Sequence, residues 1–370
     1  MFTFDYSVGK SEARPPLSAM IGSADYLPEF FQVDRRRLTL RQTTRKSIKN
    51  AAFLLPEMLG PGQRAFRVNI DDLDAAGVGH TPASGAAHHI FISASCCSTL
   101  LARYLDLIPG CLVLREPGAL PQLARLRFGP APSRWSDTSW SAEDWRKWVA
   151  ICLALLARRR AGEHAVVMKH TDLCNAMAGQ MLAADVRSKA VFLSTDVRTF
   201  IFSMLRSEPR RAWLRQRVRL WRRFPKDGAD LARLDPKGEA QGAAYLWAVT
   251  HWLWRVQECQ AGPARLMRID GGDVAENPSG VMMAINRFFS LGLSEREAAA
   301  VAGSGTGSVN AKRTAKAYGR HARARDLGHL AVRLGNEADR AIRWVSASAD
   351  AAQAISAYED RFALPRAVEV

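Results

Sequence analysis

His89-Ile-Phe-Ile-Ser-Ala-Ser-Cys-Cys-Ser-Thr-Leu-Leu-Ala-Arg-Tyr-Leu105 is the stretch whose reading decides the fold. Its apolar opening is too short for a helix and apolar enough for a strand buried on both faces, ending at about Ala94. A tight polar turn follows. A helix then starts near Ser98, with Leu101, Tyr104, Leu105 and Ile108 on its inner face. Strand, polar turn and helix N-terminus form a geometry suited to phosphate, because first-turn N–H groups lack intrahelical acceptors and the helix dipole favours negative charge. Ser98 and Thr99 add hydroxyl donors. The pattern G-x-x-x-x-G-K-[ST] is absent, since the turn holds neither glycine nor lysine. An anion site and an ordinary strand-to-helix connection therefore both remain open at this point.

Working outward, four more short apolar runs follow the same logic: Cys111–Leu114, Ala165–Met168, Ala190–Ser194 and Ala264–Ile269. Helical stretches lie between them. One opens on a capping-box-like Ser141 and Asp144 and carries Trp145, Trp148, Cys152, Leu155 and Leu156 at helical spacing. Strands alternating with helices predict an α/β fold, a three-layer α/β/α domain around a mostly parallel sheet. Strands are expected near 89–94, 111–115, 164–169, 189–195 and 264–270. The division expected along the chain is a basic N-terminal segment over 1–84, the α/β domain over 85–300, and a basic C-terminal helical segment over 301–370. The first of these contains Arg35-Arg36-Arg37, Arg41, Arg45, Lys46 and Lys49, read as a solvated segment packed beside the main domain. Ala298–Asn310, rich in small residues, is expected as a connection.

Composition narrows the function classes. The 370 residues are 48% hydrophobic and 24% charged, a globular balance that excludes a disordered tail. Lys and Arg number 52 against 36 acids, a formal charge of +16, which favours an anionic partner: a nucleotide, a sulfated or phosphorylated substrate, a nucleic acid or an anionic surface. The six cysteines form no C-x-x-C pair and no zinc-like spacing, so no metal is expected. The opening residues lack the pattern of a signal peptide, and the longest apolar run, Trp148–Ala157, falls far short of the roughly 20 residues that cross a bilayer. A cytoplasmic protein with free thiols and no membrane span is the expectation.

Ser95-Cys-Cys-Ser-Thr-Leu-Leu101, followed by Leu105-Asp106, Pro109-Gly110 and Glu116-Pro117, resembles the 5′-phosphosulfate loop of the P-loop sulfotransferase superfamily. Ala190–Ser203 resembles the strand and helix that hold the 3′-phosphate in that family, and Met267–Gly292 is similar to its late strand, acidic loop and helix. The resemblance covers roughly residues 88 to 292. It implies a P-loop NTPase-like α/β/α fold, 3′-phosphoadenosine 5′-phosphosulfate as sulfuryl donor, and a hydroxyl or amine acceptor that the sequence does not name. It also implies donor-binding roles for Ser95, Cys96, Cys97, Ser98, Thr99, Arg198 and Ser203, with Lys312 and Arg313 in a basic C-terminal segment that closes over the nucleotide. Three positions depart from the family pattern: Ser95 stands where the loop carries Lys or Arg, Cys97 where it carries Gly, and Thr195 where the 3′-phosphate motif begins with Arg.

Three candidates remain for the chemistry. Lys169 ends a parallel strand, where ligand crevices form, and is the replacement cation the sequence offers; His170 follows it directly. Glu116 follows the strand Cys111–Leu114 and is the candidate base, at a separation from Thr99 similar to that of the catalytic glutamate in tyrosylprotein sulfotransferases. Its alternative is a structural pairing with Arg115, Arg103 or Lys169. The vicinal Cys96 and Cys97 are read either as small residues fitting a crowded turn or as a thiol activated by the helix N-terminus. Arg211, Arg215, Arg219, Arg222 and Lys226 form a basic helical stripe opposite Leu214, Val218 and Trp221. A sulfotransferase-like enzyme is thus the leading reading. The same fold as a non-catalytic nucleotide-binding or scaffold protein is the second, and a nucleic-acid binder, motivated by charge and stripe, the third.

Overall fold

A computed structural model describes residues 14–80, 85–128, 140–222, 229–306 and 319–362. Within these, the first strand of the decisive stretch is β4 (Ala87–Ile92), buried at every position. It is flanked by two parallel neighbours. Ile90 sits opposite Lys169 of β6 (Ala165–Lys169) on one side and Val191 of β7 (Ala190–Ser194) on the other. β5 (Cys111–Arg115) pairs with β6, and β8 (Leu266–Asp270) pairs with β7, so the order is β5-β6-β4-β7-β8 with every pairing parallel. The five strands expected from sequence are these five, each displaced by at most a few residues.

The alternation of side chains explains why the runs look uniformly apolar. Ile90, Ile92, Val113, Val167, Val191 and Leu193 face a layer containing the helices Ser98–Leu105 and Pro278–Phe289. Phe91, Leu112, Leu114, Val166, Met168 and Phe192 face the opposite layer, with the helices Ala142–Leu156 and Ala178–Ala184. Both faces are covered, as a parallel sheet requires. The Ser141–Asp144 capping box opens the helix Ala142–Leu156 as expected, and Trp145 and Trp148 are buried on it.

The topology also locates a crevice. From β4 the chain goes out to the edge strand β5 and returns to β6, then crosses β4 to continue through β7 and β8. Successive connections therefore run to opposite sides of β4, and open α/β sheets bind ligands at the carboxyl ends of strands at such a switch. The loops after all five strands emerge along that edge.

Before β4 lies a second, antiparallel sheet of β1 (Tyr26–Gln32), β2 (Arg37–Gln42) and β3 (Ala65–Asn69). Its apolar residues are not solvated. Leu38 and Leu40 are fully buried, Phe31 stacks on Trp148 at 5.7 Å, and they join the cluster that lines one face of the parallel sheet. The boundary drawn at residue 84 separates two sheets but not two cores. The basic residues expected to be solvated are largely paired: Arg36 with Asp71 and Asp144, Arg41 with Glu29, Arg45 with Glu163. A third cluster is helical, built from Val197–Leu205, Glu239–Ala261, Arg320–Val345 and Ala349–Phe362.

Leu40→Ala tests the shared core. Removing a fully buried leucine costs about 2–5 kcal/mol. Urea unfolding followed by tryptophan fluorescence should show the whole transition shifted to lower denaturant. A separate early transition for the antiparallel sheet would contradict the single core.

Candidate functional site

The turn after β4 departs from the sheet through a left-handed backbone. Ala94, Ser95 and Cys97 have φ of 66°, 54° and 58°, values that L-residues adopt at a cost of roughly 1–2 kcal/mol each. Glu116, at the matching exit of β5, has φ 57°. Four of the six positive-φ residues other than glycine among the described residues therefore lie on this edge, so the local strain is concentrated at the crevice.

Neighbouring strands hold the turn. The Ser93 N–H donates to the Leu193 carbonyl at 3.1 Å, and the Gly271 N–H after β8 donates to the Ser194 carbonyl at 2.6 Å. Gly271 packs directly on Cys96, where a Cβ would lie 2.7 Å from the carbonyl carbon. The helix Ser98–Leu105 then begins with Ser98 and Thr99, each 6% exposed. Neither hydroxyl has a hydrogen-bond partner among the described residues.

The charged groups of the edge come from three elements. Lys169, the last residue of β6, forms an ion pair with Glu116. The Glu116 N–H donates to the Lys169 carbonyl at 2.7 Å, so backbone and side chains fasten the two strand exits together. The Lys169 ammonium lies 5.6 Å from the Phe53 ring, contributed by the N-terminal region, and Lys169 is near enough to Cys96 to favour its thiolate. Of the three partners open to Glu116, the structure selects Lys169. Arg115 is buried elsewhere, bonded to Asp106 and to the carbonyls of Ile48 and Lys49. On the other side, Arg210 from the helix Glu208–Arg222 donates to Ser95 Oγ and, at 3.1 Å, to the Ser203 carbonyl. Ser95 and Ser203, distant in sequence, thus meet through one guanidinium.

Other sequence candidates are placed differently. His170 is fully buried, its Nε2 2.9 Å from His89 Nδ1 and its ring stacked on Phe91; burial holds its pKa well below the usual imidazole range. A neutral ring sealed from solvent is a core histidine in this conformation. Arg198 forms an ion pair with Asp339 at the surface, rather than pointing its charge at the turn. Thr195 is buried and its carbonyl accepts from Trp247 Nε1 at 2.8 Å; Asp196 caps the helix Val197–Leu205. Lys312 and Arg313 lie outside the described residues, as does Lys226. The thiols do not show activation. Burial pushes Cys96 up to about 11 and raises Cys97 as well, the reverse of a reactive thiolate. In the basic stripe, Arg211 and Arg215 share Glu239, and Arg222 pairs with Asp235. These pairs leave the nucleic-acid reading with little beyond net charge.

Sequence reasoning missed two features. Arg210 falls off the helical stripe, and its signal is only its place in the first turn of the helix after Ser203. Asp270 ends β8, where the Tyr358 hydroxyl and the Gly272 N–H both donate to it. Burial raises its pKa to about 6, with Asp196 and Asp273 adding to the shift and the nearby Arg323 opposing it.

Fold and site together define an α/β protein with a left-handed strand-to-helix turn at the switch point of a parallel sheet and a carboxylate–lysine pair at the same edge. Among the described residues no cluster of three or more His, Cys, Asp or Glu is arranged to hold a metal ion, and no helix is long and apolar enough to cross a membrane. No family model and no curated protein matches the chain. Similar solved structures include a sulfotransferase of Mycobacterium avium, 13% identical over 71% of this chain and 79% of that one, TM-score 0.39. The sulfotransferase domain of an olefin synthase from Synechococcus is 14% identical over 76% of this chain and 97% of that one, TM-score 0.41. The sulfotransferase domain of the curacin biosynthetic pathway is 14% identical over 58% and 76%, TM-score 0.33.

Two measurements check this geometry. Gly271→Ala forces its Cβ against the Cys96 backbone, and should cost about 1–3 kcal/mol in urea unfolding; an unchanged midpoint would mean the clamp is loose. Asp270 keeps its proton to higher pH when folded than an unfolded aspartate does. Stability should therefore fall as pH rises from about 4 to about 6, then level off. Asp270→Asn should flatten that slope, and an identical slope in both proteins would remove the assignment.

Proposed function

We propose that the chain is a sulfotransferase-like enzyme, taking a sulfuryl group from an adenosine 3′-phosphate 5′-phosphosulfate donor to a hydroxyl or amine acceptor. The observation that carries this reading is the meeting of two things at one sheet edge. One is a turn that leads into a helix starting on Ser98 and Thr99, whose hydroxyls make no hydrogen bond to the described residues. The other is the Glu116–Lys169 pair beside it.

In the proposed reaction, the acceptor oxygen or nitrogen attacks sulfur and forms a new bond to it. The bond from sulfur to the bridging phosphate oxygen breaks, and its electron pair leaves with adenosine 3′,5′-bisphosphate. Glu116 takes the acceptor's proton. Lys169 and the first-turn N–H groups stabilise charge growing on the leaving phosphate, a contribution worth about 2.7–4 kcal/mol for a single well-placed donor. Glu116 leaves β5 in a left-handed conformation and pairs with Lys169 at the end of β6, which supports placing it in this role. The same site without transfer chemistry, a nucleotide-binding protein, is favoured by one specific observation: Ser95 and Thr195 stand where the resembling family carries cations.

Thermal shift with adenosine 3′,5′-bisphosphate, ATP and GTP tests the site. Stabilisation by the bisphosphate is expected, and no response at millimolar concentration overturns the nucleotide reading. With an acceptor in hand, Glu116→Gln should lower turnover by about 10²–10⁴-fold while leaving bisphosphate binding intact. Binding without turnover in the wild type selects the non-catalytic reading.

A further inference from the structure

We infer that the cavity between β8 and the helices Glu239–Ala261 and Ala349–Phe362 binds a tetrahedral oxyanion, phosphate or sulfate. The cavity measures about 140 Å³ and is lined by His251, Arg255, Glu258, Arg268, Gln353 and Arg361. It is separate from the turn over residues 95–99. The helix Glu239–Ala261 ends beside the start of β8, so Glu258 and Arg268 meet on the flank of this edge strand, before its crevice end. The inference therefore does not depend on the nucleotide reading above.

The lining is rich in donors, and its one carboxylate is already used. Glu258 accepts from Arg268 through both oxygens, at 2.6 and 2.8 Å. Arg255 bonds Asp350 at 2.9 Å and also Gln353 Oε1, which leaves the Gln353 amide nitrogen as a donor. Three guanidiniums thus meet two carboxylates, a local excess of one positive charge. Arg361 carries that excess. It comes no closer to Glu258 than 3.9 Å and makes no hydrogen bond to the described residues. His251 adds a further donor. Its Nδ1 lies 3.4 Å from Arg268 Nη1, and a guanidinium only donates, so Nδ1 accepts and the neutral ring carries its proton on Nε2. That Nε2 is buried and has no partner. A tetrahedral oxyanion brings several acceptor oxygens and up to two negative charges, and guanidiniums bind such oxygens in pairs. A cation would meet three guanidiniums, and an apolar ligand would leave the donors unanswered. The space is several times the roughly 10–15 Å³ that one water needs, so the ion fits with water beside it.

Titration calorimetry with inorganic phosphate and with sulfate, at constant ionic strength, tests the site. The wild type should bind both, while acetate and chloride give no heat at the same concentration. Arg361→Gln should weaken phosphate binding about ten- to a hundredfold, the worth of one charge-assisted contact. The Arg361 side chain is 53% exposed, so this variant should keep the wild-type melting temperature. Gln353→Glu places a fixed carboxylate among the same guanidiniums and should abolish phosphate binding without unfolding the protein. A wild type that binds no phosphate at millimolar concentration overturns the inference. So does phosphate binding in Arg361→Gln and Gln353→Glu within threefold of the wild type, which is the result expected if phosphate sits at the turn instead. Thermal stabilisation by adenosine 3′,5′-bisphosphate should be the same in the wild type and Arg361→Gln. A wild type stabilised by the bisphosphate but blind to phosphate sinks this site and keeps the nucleotide reading, and the reverse pattern keeps this site alone.

Discussion

The left-handed turn from Ala94 to Cys97 depends on being clamped from three strands at once. Ser93 is tied to β7 through the Leu193 carbonyl, and β7 is tied through Ser194 to Gly271 at the exit of β8. Gly271 presses on Cys96 from beneath. Loops that cradle phosphate commonly use glycine where the backbone turns left-handed, because glycine does so without steric cost. Here alanine, serine and cysteine occupy those conformations, at roughly 1–2 kcal/mol each. Such strain persists only where surrounding structure over-determines the backbone. The two buried sheet faces supply that rigidity, with Phe91 and Phe192 on one side and Ile90, Val191 and Leu193 on the other.

Part of the charge excess has a structural explanation away from the site. Several arginines hydrogen-bond carbonyls at helix ends, which have no intrahelical donors. Arg158 bonds the carbonyls of Met20 and Ile21 and also that of Leu155. Arg265 bonds those of Leu182 and Asp185, and Arg115 those of Ile48 and Lys49. Others sit in ion pairs between elements, such as Arg217 with Asp172 and Arg268 with Glu258. A cation used to satisfy carbonyls raises the net charge without making a basic face. Net charge alone therefore does not mark a basic face in this chain.

This division also explains what the sequence made legible. Four strands buried at every position, β4 to β7, alternate between two apolar layers and leave short apolar runs that need no tertiary information to find, while the edge strand β8 is half-buried and carries Arg268. The Ser98 helix start and the Ser141 capping box are local chemistry and are equally visible. The antiparallel sheet over Tyr26–Asn69 was hidden because its arginines dominate the composition, while Phe31, Leu38 and Leu40 alternate too briefly to stand out. The small-residue stretch after Ala298 was read as a connection, yet Ser294 and Glu297 cap a helix that runs through Ala302. In the site, Glu116 and Lys169 are legible because strand ends are. Arg210 is not, since only folding brings position 210 to position 95, and no spacing rule links them.

Lys169 has two claimants under the proposed reaction, and that competition orders the events. Its ammonium is paired with Glu116 and lies 5.6 Å from the Phe53 ring. Opposite charges about 4 Å apart near a protein surface attract by about 4 kcal/mol. Under that reaction a phosphate at the turn would bring charge comparable to the carboxylate's, with first-turn N–H groups as further donors to it. Any share of Lys169 drawn toward that phosphate is withdrawn from Glu116, whose carboxylate then becomes available to an acceptor proton. Donor binding would thus prepare the base rather than merely deliver the sulfuryl group. An acceptor entering first would meet a carboxylate still bonded to lysine. The same pair that fastens β5 to β6 in the resting protein therefore gives the proposed chemistry its direction.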